Sequence, residues 1–142
     1  MIYTKNLVSL ILLISVLIIN LSCFNKGKMI ITKLHPFSEI DSIGHEPQKY
    51  KFYLVQNFEL GNKQQFEEIK KFAEENLDKD YNHYAIYDIG FYKESPKTNL
   101  NYRQTPSDLI LWHGDDLVFD FAWSYGKFIS YNAYKEGKVI TK

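Results

Sequence analysis

The run Trp112-His113-Gly114-Asp115-Asp116 is the densest cluster of chemically capable side chains in this sequence. An imidazole beside two carboxylates is raw material for a His/carboxylate metal site or an acid–base pair. A metal needs further ligands, and the other histidines, His35, His45 and His83, are scattered, with no HExxH spacing. The competing reading is a polar loop whose acids cap a turn. No nucleophile elbow, phosphate loop or dinucleotide fingerprint accompanies the cluster. No catalytic residue, metal or cofactor is therefore expected. Asp88, on an apolar stretch, is the other carboxylate of interest, since a buried one must be paired or neutral.

The elements that must position these residues follow from periodicity. Residues 50–60 alternate, with Phe52, Leu54, Phe58 and Leu60 on one face of a strand. Asn62 is an N-cap candidate, with Gln65 placed to reach back as in a capping box. The following helix sets Phe66, Ile69, Phe72, Ala73 and Leu77 on one face and alternating charges on the other. Residues 83–93 read as a central strand, apolar on both faces apart from Asp88 and Gly90. Thr105, Pro106 and Asp108 spell a short helix start. Residues 117–134 form a hairpin in which Leu117, Phe119, Phe121 and Trp123 share one side, Asp120 faces away to solvent, and Gly126 supplies the turn. Residues 135–140 add a turn and a short terminal strand. The expected fold class is α+β: an antiparallel or mixed sheet of about four strands, ordered β-α-β-α-β-β, packed on one principal amphipathic helix.

Near its start the chain carries residues 7–19, apolar but for two serines, a length suited to a signal-peptide core rather than the roughly 20 residues of a bilayer span. Ser22 then precedes Cys23, the chain's one cysteine. This resembles the lipobox of bacterial lipoproteins, in which the cysteine is acylated and becomes residue one. Asn20 stands where that pattern usually has Leu, a looseness common in Bacteroidetes and spirochaetes. The resemblance implies a signal peptide over 1–22, cleaved between Ser22 and Cys23, and a lipidated tether over 23–49. A single folded domain then spans 50–142. Phe24, rather than Asp, follows the cysteine, which by the same resemblance favours the outer membrane, facing the periplasm. The alternative is an uncleaved helix whose flanking Lys26, Lys28 and Lys33 would hold the domain on the cytoplasmic side.

Removing residues 1–22 takes Lys5 with it, leaving 16 basic against 17 acidic side chains. That balance offers no field to hold nucleic acid. Of 23 aromatic residues only Tyr3 precedes Cys23, so 22 of the remaining 120, about 18%, are aromatic. Tyr84, Tyr87, Tyr92, Trp123, Tyr125, Tyr131 and Tyr134 are either the rim of a core or an exposed platform for a partner. The stretch from Phe91 through Ile140 also resembles small Bacteroidetes lipoproteins with aromatic hairpins, a likeness that carries no activity.

These features favour a non-enzymatic, membrane-tethered envelope lipoprotein that binds a protein: an inhibitor, an immunity-type protein or an accessory subunit. Its partners would be the bilayer, through acylated Cys23, and an envelope or secreted protein. Trp112, His113, Asp115, Asp116, Trp123 and Tyr125 are the candidate binding residues. Alternatives are a small-ligand or glycan binder with an aromatic cleft, and a small hydrolase centred on His113, Asp115 and Asp116.

Overall fold

A computed structural model describes residues 27–36, 38–43, 46–101 and 113–140. The strands are β1 (Ile30–Lys33), β2 (Ile40–Ile43), β3 (Glu46–Gln56), β4 (Ile86–Lys93), β5 (Leu117–Ser124), β6 (Lys127–Lys135) and β7 (Lys138–Val139). One α-helix, α1 (Lys63–Glu75), joins β3 to β4. Short 3-10 turns occupy Tyr81–His83 and Gly114–Asp116.

The strands line up as β1-β3-β4-β5-β6-β7, with β2 also paired to β3. β1 pairs with Tyr53–Gln56 and β2 with Glu46–Lys49, so the two form one interrupted edge. Among the described strands only β3 and β4 run parallel, as a helical crossover between them requires. All other pairs are antiparallel.

This corrects the expected four-strand, β-α-β-α-β-β arrangement. The sheet is six strands across with a single described α-helix, and two of its strands lie in the stretch read as tether. β1 and β2 are four residues each and broken by Pro36, too short to show a period-2 signal. The helix start expected at Thr105 to Asp108 lies outside the described residues.

α1 forms for the reasons its sequence suggests. Asn62 Oδ1 accepts the Gln65 N–H at 3.2 Å. The return half of the capping box goes elsewhere: Gln65 Oε1 accepts from Glu59 N at 2.8 Å, tying the helix to the incoming loop. Ile69 and Ala73 are fully buried, and Phe66, Phe72 and Leu77 pack around them.

The helix covers one face of the sheet, where Tyr53, Val55, Tyr87, Ile89, Phe91, Phe119, Phe121 and Trp123 make the main core. Aromatic contacts dominate it: Tyr53 stacks on Phe91 at 5.5 Å, and Phe66 lies 5.2 Å from Phe119. Leu34, Tyr50, Phe52, Leu54 and Tyr92 form a second cluster on the opposite face, with Leu117. A bulge in β5 leaves Val118 unpaired opposite the step from Phe91 to Tyr92 and opposes Tyr92 to Leu117, which moves Leu117 off the aromatic stripe and puts Val118 in the main core. Gly90 stands where the second cluster closes in. A Cβ there would come within 3.0 Å of the Tyr92 ring and 3.3 Å of Phe52.

Among the described residues no helix is long and apolar enough to cross a membrane. Residues 7–24, with Ser22 and Cys23, lie outside them.

Candidate functional site

Among the described residues, three polar clusters and one exposed strand edge are the places where chemistry or recognition could occur. The first cluster surrounds Asp78, just beyond α1. Lys51 Nζ donates to Asp78 Oδ1 at 2.6 Å and to the Asn76 carbonyl at 2.9 Å. Lys49 Nζ reaches Asp78 Oδ2 at 2.8 Å, and the Tyr87 hydroxyl donates to the same oxygen at 3.0 Å. Burial pushes the Asp78 carboxyl up, but the bonds from Lys49, Lys51 and Tyr87 outweigh it and hold it at about 2. Burial likewise opposes the Lys49 ammonium, yet Asp78 keeps its pKa above the ordinary lysine value. A lysine held charged cannot serve as a nucleophile or base, so this cluster is a clasp between helix end and sheet.

The second cluster contains His113 and Asp116, two of the sequence candidates, joined by a residue the sequence did not single out. Thr98 Oγ1 lies 2.7 Å from His113 Nδ1 and donates to Asp116 Oδ2 at 2.8 Å. Ser95 Oγ donates to the same carboxylate oxygen at 2.6 Å. Thr98 has one hydroxyl proton, given to the carboxylate, so His113 must donate from Nδ1. A nucleophilic hydroxyl needs the reverse polarity, with its proton passing to the imidazole. Thr98 is also fully buried. The arrangement locks the loop after β4 onto the turn before β5. Asp115 points away from it and is exposed, with Oδ1 packed against the Gly137 turn.

The third cluster is on the sheet face opposite α1. Asp120 is not a simple solvent-facing acid. Its Oδ1 accepts from Asn132 N at 3.1 Å and Asn132 Nδ2 at 2.9 Å, and its Oδ2 from the Tyr134 hydroxyl at 2.7 Å. Asp88 shares this face across Gly90. Burial, then the charge of Asp120, pushes the Asp88 carboxyl well above the usual range. Burial and Asp120 likewise raise the Tyr134 phenol. Among the described residues no group of three or more His, Cys, Asp or Glu is arranged to hold a metal ion.

The remaining feature is apolar. Of the seven residues proposed as a platform, Tyr87, Tyr92 and Trp123 are buried, Tyr84 and Tyr134 are half-buried, and only Tyr125 and Tyr131 are exposed. Trp123 is therefore core, and Trp112 lies outside the described residues. Tyr125 occupies the β5–β6 hairpin turn with φ of 45°, followed by Gly126 at 81°, both in the left-handed region that a two-residue hairpin requires. Its N–H donates to the Tyr84 carbonyl at 2.9 Å, docking the turn on the loop before β4.

From this turn an apolar strip runs down β6. Tyr125 is 57% exposed, Phe128 50%, Ile129 56% and Tyr131 41%. The strip ends at an open groove of about 470 Å³ beside the start of α1, walled by Leu60, Phe66, Phe119, Tyr131, Ala133 and Ile140. α1 meets β6 through Phe66, whose ring lies 5.3 Å from that of Tyr131, and among the described residues the surface beyond that contact stays open. The sequence signal for it was the density of apolar residues in 128–131 on the second strand of the hairpin.

Comparison with known proteins finds no family model that matches the chain, and no curated protein or solved structure similar to it.

Proposed function

We propose that this chain is a non-enzymatic protein-binding module of the bacterial cell envelope, anchored through acylated Cys23 in the outer membrane and facing the periplasm. The observation that carries this reading is the exposed apolar strip of β6 with its adjoining groove. Contiguous apolar surface of this kind marks an interaction site. Tyr and Phe are enriched in such interfaces. The groove's walls are mostly apolar, with Asn62 and Lys63 at the helix start as its polar residues.

The strand order supports the same reading. Lys28 is held to the domain by Asn57, whose Nδ2 donates to its carbonyl at 3.0 Å, next to edge strand β1. From Cys23 to Gly27 the chain can span about 14 Å at most. β6 is four strand steps from β1, about 19 Å away. A short tether at the β1 edge therefore leaves the β6 edge directed away from the bilayer, open to a partner.

Mass spectrometry of the mature N-terminus tests the anchor: diacylglyceryl-modified Cys23 is expected, lost in Cys23→Ala, and a retained Met1 would overturn it. Native electrophoresis of gently solubilised envelopes tests the binding. The chain should migrate in a stoichiometric hetero-complex, and migration solely as a free monomer contradicts the role.

A further inference from the structure

We infer that the outer edge of β6, from Lys127 to Asn132, takes an added strand from its partner protein, and that this strand is apolar at its centre and acidic at its ends. This partner chemistry rests on the binding role proposed above.

β7 covers only the far end of β6, through Tyr134 and Lys135, and Ile140 N donates to the Ala133 carbonyl at 2.8 Å. Among the described residues, nothing pairs with the outer side of β6 before Ala133. Asn132 turns its N–H inward, to Asp120. In an antiparallel ladder alternate residues face opposite neighbours, so Tyr131 turns its N–H and C=O outward, as Ala133 does, while a bulge leaves Ile129 without a partner between Phe128 and Ser130 and shifts the alternation towards the turn. An exposed edge of this kind is a template for another strand. Phe128, Ile129 and Tyr131 supply the side-chain contacts beside it.

Charge selects the occupant. Lys127, Lys135 and Lys138 flank the edge, a net of +2 over 127–139 with Glu136, and Asp115 lies against the Gly137 turn. Lys135 and Lys138 already face one another across β6 and β7. Like charges directly opposed are destabilising, and an acidic neighbour relieves them. A second copy does the opposite. Its free edge, Lys127 to Asn132, carries Lys127 and no acid, so self-pairing adds positive charge where an acidic strand would relieve it.

The test places the photo-crosslinking residue benzoylphenylalanine in the full chain, in the cells that make it, at Ile129 or at exposed Glu74 on α1. The expected result is an Ile129 crosslink to a partner protein, mapped to an extended segment with acidic residues flanking an apolar centre. Yield should fall at least tenfold when Lys127→Glu and Lys135→Glu are combined, in a chain whose melting temperature is unchanged. A crosslink to a second copy, to lipid, or to a segment lacking acidic flanks overturns the inference. So does a yield insensitive to the charge reversal. Protein crosslinks from Glu74 alone would overturn the edge while sparing the binding role, and protein crosslinks from neither position would overturn both.

Discussion

The ring of Tyr131 on β6 lies 5.3 Å from that of Phe66 on α1, and the two differ in what their removal should do. Phe66 also meets Phe119 and Phe121, so it joins the helix to the core. Phe66→Ala should cost about 3–4 kcal/mol in urea unfolding. Tyr131→Ala, at the open rim, should cost about 1 kcal/mol or less. Equal losses would place Tyr131 in the core and remove it from the docking surface.

The Asp78 clasp predicts an acid-sensitive fold. Its carboxyl falls from an ordinary 3.8 to about 2 in the folded chain. A depressed carboxylate contributes stability above its unfolded value, and that stability is lost as pH falls through the folded one. About 2 kcal/mol should therefore disappear between pH 4 and pH 2. Asp78→Asn should be less stable at pH 7 and lack this loss. An unchanged acid profile in Asp78→Asn contradicts the assignment.

Asp88 has the opposite sign. Its folded carboxyl lies above the unfolded 3.8, so it lowers stability increasingly as pH rises from there towards its folded value. Asp88→Asn should raise the melting temperature at pH 7 and change it little at pH 3. A lower melting temperature at pH 7 would show that the ionised carboxylate is needed.

Thr98→Val removes the hydroxyl that links His113 to Asp116 while keeping the side chain's volume. A buried partner left unsatisfied costs about 1–3 kcal/mol, so thermal melts should drop by several degrees. Thr98→Ser should recover most of the loss. A stable Thr98→Val beside a destabilised Thr98→Ser would mean that the methyl packing, rather than the hydroxyl, holds the loop.

Much of the frame was legible from local pattern. α1 carries its own cap at Asn62 and its own face from Phe66 to Leu77, and the β5–β6 hairpin carries its Gly126 turn. β1 and β2 were not legible, because four-residue edge strands around a proline lack a repeating signal and exist through their pairing to β3. The polar clusters failed for a related reason. Thr98 meets Asp116 across 18 residues and Lys51 meets Asp78 across 27, so their partners become visible only once the sheet is assembled. His113 and Asp116 were found by type, but the polarity of their link depends on Thr98. Trp123 belongs to the stripe of Phe119 and Phe121, legible from the strand's alternation, and lies in the core rather than on a binding surface with Tyr125.

Hydroxyl-radical footprinting of the full chain, in intact envelopes and again after purification, tests the central claim most directly. A partner covering the β6 edge should leave Tyr125, Phe128 and Tyr131 several-fold less oxidised in envelopes than in the purified chain, with exposed Leu100 and Ile40 equal in both. Equal oxidation of the β6 residues in the two states would mean that nothing occupies the edge, and would contradict the binding role assigned to it.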